Sequence, residues 1–583
     1  MSAPGGAAGR GAGVEGAGGT TGQQQDHQRD HQQQQQQQQA QDDAGVGAGS
    51  AAKEAKEAEK TPQEQLFTAC AMGEADKVRE LLANKAEVDV QAKDATGYHA
   101  LQWAALNNRT AVVQLLLDAG AVIDARDSVS EQGAIHWAAV RGSTQALDLL
   151  LSSGASLLLA DNQGYTAMHV AAQYGATALF WHLVHRWEAD WEVLDSAGRT
   201  PLHWAAYKNF GDTTRLLMFL GADLERKDNE GCMALHWAAV KGNFEASRLL
   251  LLATSSERVL DDTEKAGKTA ADLARDGGHG HIALFIDRQK KSIRQSKRRK
   301  CKGMEGMAPG LWAFIIGLTT LFFFALRNFR FSSGMQLAPD GLPMEGTASG
   351  SIVVTFGMLI VFATVSSGLA LLYHASTTDP GYVPIGGNKG PGARGLSAEE
   401  IAVLNASDWQ RLCPTCKVVK PPRAKHDSVT NRCVLEFDHY CPWTGAPVAK
   451  GNHRSFVTFL LLETTAMVVA LLVAIYAVCY DHDMPWGSGK AMSHLIVYHS
   501  SILTFFAVDG FGLISVLALT CYQMNGVARN ILTAEDMRAH FNASGNPYDR
   551  GSYENMRRFF KHGSHGIEVA PDGPKKCSSR RGG

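Results

Sequence analysis

Cysteine and histidine residues gather in one stretch of the chain, residues 413–441. Four of them have the types and order of a zinc-ligand set: Cys413, Cys416, His426 and Cys433. The first two form a Cys-x2-Cys pair, and three thiolates with one imidazole would complete the tetrahedral coordination that zinc prefers. Since a closed four-ligand set leaves no position for water, we predict a structural zinc site. The alternative is a set of buried free thiols.

A fifth cysteine, Cys441, has the neighbours of a nucleophile. It follows Asp438 and His439 and is not needed to complete the zinc set. A thiol with a pKa of ~8.5 is a poor nucleophile at neutral pH until a base takes its proton. His439 can be that base, and Asp438 can orient the imidazole and stabilise its charged form. The spacing alone fits a second metal cluster equally well.

Apolar segments on both sides of this stretch predict four membrane-spanning helices. We expect the spans at Met307–Leu326, Ser351–Tyr373, Ser455–Tyr480 and Leu495–Tyr522. The third contains Glu463 and the fourth contains Asp509. A carboxyl group inside a membrane is costly, so Asp509 is a functional candidate by default, with packing against a neighbouring helix as the alternative.

The positions of Lys and Arg predict the orientation of these spans. Residues 288–302 contain nine basic residues and no acid, and residues 374–454 contain ten basic residues. The other connections are poor in basic residues, so these two segments and both termini are expected on the cytosolic side. Cytosolic thiols stay reduced, which favours ligands or nucleophiles over disulfides. Cys301, in the first basic segment, is a lipidation candidate or an ordinary juxtamembrane thiol.

Residues 64–287 repeat with a period of 33 or 34. Trp103, Trp137, Trp204 and Trp237 occupy one register, and the clearest copy reads Gly-Arg-Thr-Pro-Leu-His-Trp-Ala-Ala from residue 198. This pattern predicts about seven ankyrin repeats of a turn plus two helices, which bury their apolar faces only when stacked. The recurring histidines are interpreted as hydrogen-bonding framework residues: His136, His203 and His236.

The composition of the chain excludes some classes of partner and indicates which residues can fold. With 56 basic and 58 acidic residues among 583, the chain is not basic overall, and no nucleic-acid partner is expected. Residues 1–60 are too poor in apolar side chains to fold and are predicted to be disordered. We therefore predict an all-α chain: ankyrin repeats in 64–287, a basic linker in 288–306, spans in 307–373 and 455–522, a cytosolic cysteine-rich domain in 374–454, and a cytosolic tail in 523–583.

These motifs together resemble the cysteine-rich domain of the DHHC protein S-acyltransferases, or palmitoyltransferases. The signature is Phe-Asp-His-Tyr-Cys-Pro-Trp at 437–443, a DHYC variant, and Asp-Pro-Gly at 379–381 and Asn-Pro-Tyr-Asp-Arg-Gly at 546–551 match further family motifs. The repeats resemble those of the ankyrin-bearing branch. The resemblance implies that Cys441 takes a fatty acyl group from acyl-CoA and passes it to a substrate cysteine, assisted by His439 and Asp438.

The resemblance also implies partners and a location. Palmitoyl-CoA is the expected co-substrate, the bilayer is the host, and the Golgi or another endomembrane is the expected site. The repeats are expected to recruit substrate proteins, with Asn107 and Trp137 matching family positions that hold an extended peptide; a framework role is the alternative for Trp137. Lys420 and Arg423 are candidates for binding the phosphates of CoA, and ordinary charge pairing or a solvated position is the alternative.

Several departures from the family pattern qualify these expectations. The positions of a second zinc site are occupied by non-ligands or a lone acid: Asp427, Thr430, Tyr440 and Pro447. We therefore expect about one zinc per chain. The family's Thr-Thr-x-Glu element reads Leu-Thr-Ala-Glu at 532–535, and ankyrin-bearing relatives usually have six spans where we predict four. An inactive ankyrin scaffold is the rival hypothesis, and a channel or receptor would leave Cys441 and the zinc ligands unexplained.

Overall fold

The computed structural model describes residues 60–565 with ten gaps, and the chain forms two compact units. The gaps are 85, 255–256, 303–307, 328–346, 387–394, 480–485, 487–488, 499, 539–544 and 564. One unit holds most of the repeat region, and the other holds the residues from Asp287 onward together with Thr214–Ala222 and Arg248–Glu257. Apart from Lys60, the predicted disorder of residues 1–60 lies outside the described residues, as does the side chain of Cys301.

Helix pairs follow one another through the repeat region. In the described residues they are Pro62–Met72 and Ala75–Ala83, Ala100–Leu106 and Thr110–Asp118, Ala134–Arg141 and Thr144–Ser152, Ala167–Gln173 and Thr177–Arg186, Pro201–Tyr207 and Gly211–Leu220, Ala234–Lys241 and Phe244–Ala253, and Ala270–Asp276 and Gly280–Lys302, with a short helix at Glu257–Asp261. These seven pairs confirm the ankyrin solenoid. The last helix continues through the basic segment, so the expected boundary at residue 288 lies inside a helix.

The repeated histidines hold the turns of the solenoid. In His203, Nδ1 accepts from the backbone N–H of Thr200 at 3.1 Å, and Nε2 contacts the carbonyl of Cys232 in the next repeat at 3.2 Å. His136 and His236 make the same pair of contacts. This pattern agrees with a framework role for these side chains.

Long apolar helices form the membrane part of the second unit. Among the described residues, three are long and apolar enough to cross a bilayer, Val353–Thr377, His453–Cys479 and Ser500–Arg529, and Gly310–Leu326 is a shorter apolar helix. The three long helices overlap the second, third and fourth predicted spans, and the shorter helix overlaps the first. The predicted ends differ: the second span belongs to a helix that runs from Thr347 to Thr377, and the fourth segment consists of Ala491–Tyr498 and Ser500–Arg529.

The cysteine-rich segment adds short strands to a chain whose fold is mostly helical, as predicted. It contains the helix Ala398–Asn405 and three two-stranded antiparallel ladders: Leu412–Cys413 with Val418–Val419, Lys425–Asp427 with Arg432–Val434, and His439–Cys441 with Ala446–Val448. Strands of two or three residues are too short to show the alternation of polar and apolar residues that identifies a strand. The chain as a whole is nevertheless mostly helical.

Two short helices follow the last span. Thr533–Asp536 comes directly after it, and the C-terminal helix spans Ser552–His562. Phe559 of the C-terminal helix is buried in an apolar cluster with Val457 and Val527, which belong to the third and fourth spans. The tail is thereby packed onto the membrane helices.

Candidate active site

One short strand carries the predicted nucleophile and base. His439 and Cys441 lie two residues apart in the strand His439–Cys441, and alternate residues of a strand point to the same face. The Nδ1 of His439 lies 2.8 Å from Oδ2 of Asp438. Asp438 and Cys441 are buried, at 2% and 3% exposure, while His439 is partly exposed. The three predicted residues thus come together, with the imidazole next to the carboxylate.

The carboxylate of Asp438 receives hydrogen bonds from three residues. Besides His439, Thr533 donates its backbone N–H to Oδ1 at 2.6 Å and its hydroxyl to Oδ2 at 2.8 Å. Gln523 donates its amide to Oδ2 at 3.2 Å. Burial opposes the charge, but His453, His439 and Thr533 outweigh it and hold the pKa of Asp438 well below its usual range. The group is therefore a fixed anion at neutral pH.

The imidazole and the thiol form a charge pair. Burial opposes protonation of His439, but its hydrogen bonds to Asp438 and Cys441 raise the pKa of His439 to about 9. Burial also opposes a thiolate, yet hydrogen bonds from His439 and Thr444 lower the pKa of Cys441. The arrangement favours a thiolate beside an imidazolium, the reactive state of a cysteine nucleophile.

Cys441 faces the membrane helices. It belongs to the same buried apolar cluster as Leu372 of the second span and as Phe456 and Leu460 of the third. The ring of His439 packs edge-on against Phe456, with centroids 5.5 Å apart. The thiol of Cys441 therefore lies where the cysteine-rich segment meets apolar helices.

Asn452 links the third ladder to the helix of the second span. Its side-chain amide donates to the carbonyls of Ala375, in the second span helix, and Pro447, both at 2.9 Å, and its Oδ1 accepts from the backbone N–H of Ala449. The preceding residue must be glycine, because a Cβ on Gly451 would lie 2.0 Å from the carbonyl oxygen of Asp379. This close approach packs the Asp-Pro-Gly turn against the Gly-Asn pair.

The four predicted zinc ligands converge. Cys413 and Cys416 lie at the first hairpin, and His426 and Cys433 are directly opposite each other in the second ladder. All four ligand atoms lie within 4.8 Å of one another. Nδ1 of His426 is 3.5, 3.4 and 3.9 Å from the sulfur atoms of Cys413, Cys416 and Cys433. A tetrahedron built on zinc bond lengths has sulfur–nitrogen edges of roughly 3.5 Å, so the cluster is compatible with zinc.

The four positions aligned with a second zinc site are held by other contacts. Asp427 Oδ2 accepts from the backbone N–H and the hydroxyl of Thr430, at 2.9 and 2.7 Å. Tyr440 is paired with Pro447 in the third ladder, and its hydroxyl donates to the carbonyl of Gly445. Within the described residues, the Cys413 cluster is the one group of ligand atoms close enough to hold a metal. Hydrogen bonds thus close the hairpins at these positions.

The two candidates for binding CoA phosphates are placed differently. Lys420 follows the first ladder and is half-buried. The guanidinium of Arg423 is 1% exposed and forms two parallel bonds to Glu535, at 2.8 and 2.6 Å. It also donates to Asn530 and packs over the ring of Tyr548. Arg423 is thus engaged inside the protein, which does not agree with the phosphate role expected from the sequence.

The predicted peptide-binding residues lie in adjacent repeats. Oδ1 of Asn107 accepts a hydrogen bond from Arg141. Trp137 is 5% exposed and packs edge-on against Tyr98 and Trp103, with ring centroids 4.6 and 5.4 Å away. Asn107 directly follows the helix Ala100–Leu106, and Trp137 lies in Ala134–Arg141, the first helix of the next repeat.

Trp137 differs from the other tryptophans of its register. The indole N–H groups of Trp103, Trp204 and Trp237 each donate to an aspartate nine residues earlier. The corresponding position before Trp137 is Ser128, and the Nε1 of Trp137 is buried without a hydrogen-bond partner in the described part of the chain. If Trp137 had only a framework role, its indole N–H would lack a hydrogen-bond partner among the described residues.

Comparison with known proteins identifies the family. A model described as DHHC palmitoyltransferase matches residues 406–540, and a three-copy ankyrin-repeat model matches 48–127, 123–193, 179–261 and 202–291. The chain is 34% identical over 527 residues to "Probable protein S-acyltransferase 23" of Arabidopsis thaliana, covering 87% of this chain and 94% of the relative. The chain belongs to the DHHC protein S-acyltransferases. The expected enzyme class is confirmed.

Other named palmitoyltransferases also match most of this chain. "Palmitoyltransferase akr1" of Schizosaccharomyces pombe is 29% identical, with 81% of this chain and 82% of the relative covered. "Palmitoyltransferase ZDHHC13" of Mus musculus is 27% identical, with 86% and 87% covered. Each of these matches covers more than four fifths of this chain.

Sequence reasoning missed the residues that hold this S-acyltransferase site together. Thr533 lies in the Leu-Thr-Ala-Glu element, whose resemblance to a family motif was the available signal. Asn452 lies in the Gly-Asn-His motif. Gln523 had a weaker signal: it is a polar side chain at the end of an apolar span, and such residues often mark functional sites.

Proposed function

We propose that this S-acyltransferase moves a palmitoyl group from acyl-CoA to substrate cysteines through a thioester on Cys441. The observation that carries the proposal is the 2.8 Å contact between His439 and Asp438 beside a buried thiol whose pKa is lowered. The apolar cluster around Cys441 supports a lipid substrate over a polar one.

The reaction has two balanced steps. The Cys441 thiolate attacks the acyl-CoA thioester carbonyl, the carbon–sulfur bond to CoA breaks, and His439 gives its proton to the departing CoA thiolate. A substrate thiol then gives its proton to His439 and attacks the Cys441 thioester, which regenerates the Cys441 thiolate. Both steps exchange one thioester for another, so they need no oxidant or nucleotide.

The site's position suits an acyl-CoA co-substrate. The acyl chain enters the apolar cluster of the spans, where each buried methylene contributes roughly 0.8 kcal/mol to binding. CoA stays in water, and Lys420 is the proposed partner of its phosphates. Arg423 takes a structural role instead, since Glu535 already occupies its guanidinium.

We assign a structural zinc, about one per chain, to Cys413, Cys416, His426 and Cys433. It would cross-link the first two hairpins, with no coordination position left for substrate. The geometry of the four ligand atoms supports this role. The strand that carries Cys441 follows these two hairpins in the chain. The metal would therefore help to hold Cys441 in position.

We propose that the ankyrin repeats recruit substrate proteins at Asn107 and Trp137. An extended peptide offers backbone carbonyls, and the buried Nε1 of Trp137 is a donor that lacks a partner in the described structure. The side-chain amide of Asn107 bonds to Arg141 and to the carbonyl of Trp103, so it would exchange one of these bonds for a bond to a peptide. An additional partner there would satisfy a donor that the fold leaves unsatisfied.

We place the repeats, the cysteine-rich domain at 374–454 and the tail on the cytosolic side of an endomembrane. The basic residues of 288–302 and 374–454 support this orientation by the positive-inside rule. The Golgi is the proposed organelle on family resemblance alone, and microscopy of a tagged chain tests it.

Autoacylation tests the proposed function. Purified wild-type protein incubated with labelled palmitoyl-CoA should retain a hydroxylamine-labile label, and Cys441→Ser should lose it. Cys479→Ser is the matched control, because Cys479 is an exposed cysteine at the end of a span and should not matter. Label retained in Cys441→Ser would contradict the assignment, and no label on the wild type would favour an inactive scaffold.

A further inference from the structure

Basic side chains line one face of the C-terminal helix Ser552–His562. Arg557, Arg558 and Lys561 follow a three-and-four-residue spacing, which puts them on one face, and His562 comes next. The acid on this face, Glu554, pairs with Arg557 at 3.2 Å and Arg558 at 3.0 Å. Together these residues line a cavity of about 280 Å³. The cavity therefore has an excess of positive charge.

The opposite face of the helix locates the cavity at the membrane border. Buried Phe559 packs with Val457 and Val527. Val457 lies four residues after the start of the third span, about 6 Å along its axis, and Val527 lies in the last turn of the fourth span. The helix is therefore at the level where the spans end.

A neighbouring element adds another positive charge. Arg454, in the first turn of the third span, is exposed and lies alongside Gly563, which ends the C-terminal helix: a Cβ on that glycine would be 3.7 Å from Cδ of Arg454. At the other end of the helix, Tyr553 is 81% exposed, and aromatic side chains of this kind favour the membrane interface.

We infer that this basic cluster binds the phosphate-bearing headgroup of an anionic phospholipid. The cluster consists of Arg454, Arg557, Arg558, Lys561 and His562. Guanidinium groups bind phosphate through paired hydrogen bonds, and basic groups at the end of a span attract anionic lipids. The inference rests on the proposed function in one respect: the membrane orientation proposed there exposes this cluster to the cytosolic leaflet.

A binding measurement on the full chain in neutral detergent tests the inference. The probe is a fluorescent short-chain phosphatidylinositol phosphate. Arg557→Gln/Lys561→Gln should weaken binding by roughly tenfold or more, since one basic residue near an anionic surface contributes a factor of about 5. The control Arg79→Gln/Lys265→Gln removes two exposed bases from the repeats and should bind like wild type.

Each outcome has a defined meaning. A phosphatidylcholine probe of the same chain length should not bind. Wild-type affinity in Arg557→Gln/Lys561→Gln would overturn the inference, and so would displacement of the probe by equal concentrations of inorganic phosphate or CoA. Autoacylation is measured in the same preparations: label on Cys441 without lipid binding refutes this inference alone, whereas lipid binding without label refutes the proposed function alone.

Discussion

The side-chain amide of Gln523 donates to Oδ2 of Asp438 over 3.2 Å. This contact joins the end of the fourth span to the carboxylate that bonds to the imidazole of His439. Oε1 of Gln523 also contacts Nε2 of His453 at 3.0 Å, which orients the amide with its nitrogen toward Asp438. A membrane helix thus helps to fix the geometry of a site in the cysteine-rich domain.

Gln523→Leu should slow autoacylation. A hydrogen bond to a charged group contributes about 1.5–3 kcal/mol, so we expect a loss of roughly tenfold or more if Asp438 becomes less well fixed. The KM for palmitoyl-CoA should change little, because Gln523 is buried away from solvent. Cys521→Ala, an exposed residue on the same helix, is the control. A normal rate in Gln523→Leu would show that His439 and Thr533 suffice to hold Asp438.

The pH dependence of Cys441 alkylation should report the charge pair. Because Asp438 and Cys441 raise the pKa of His439 from 6.5 to about 9, the imidazolium persists through neutral pH and is lost as the pH rises through about 9. Cys441, with its lowered pKa, should therefore react with iodoacetamide at a pH where an ordinary thiol, with a pKa of ~8.5, is protonated.

His439→Gln removes that charge, so the midpoint of alkylation should move upward. His374→Gln changes a histidine outside the site and should leave the midpoint in place. An identical pH profile in wild type and His439→Gln would contradict the pairing of imidazole and thiol.

Metal analysis should find about one zinc per chain. Cys433→Ser should lower the zinc content and the Tm, because it removes one of four ligands from a structural site. Asp427→Ala should leave the zinc content unchanged, since Asp427 bonds to Thr430 and not to the cluster. Two zinc ions per chain would contradict the single site.

The sequence predicted those parts of the structure that repeat or that have strong spacing rules. Trp103 and Trp237 marked the ankyrin register, and the Cys413–Cys416 pair together with the two later ligands predicted a metal cluster. The short strands around Cys441 were missed because three residues carry no periodic signal. For Arg423 the sequence left a CoA-binding role and ordinary charge pairing both open. It could not identify Glu535 as the partner, because Glu535 lies 112 residues away and nothing in the local sequence links the two.

The ion pair between Arg423 and Glu535 gives the last prediction. Both bonds are short and the guanidinium is buried. Arg423→Met should therefore leave the carboxylate of Glu535 without its partner. We expect the free energy of unfolding to fall by about 3 kcal/mol or more. The double variant Arg423→Met/Glu535→Met should recover part of that loss, because it removes both charges. Thermal unfolding in detergent measures both effects. If Arg423→Met instead kept its Tm and raised the KM for palmitoyl-CoA, the guanidinium would be a CoA-binding group and the structural role would be wrong.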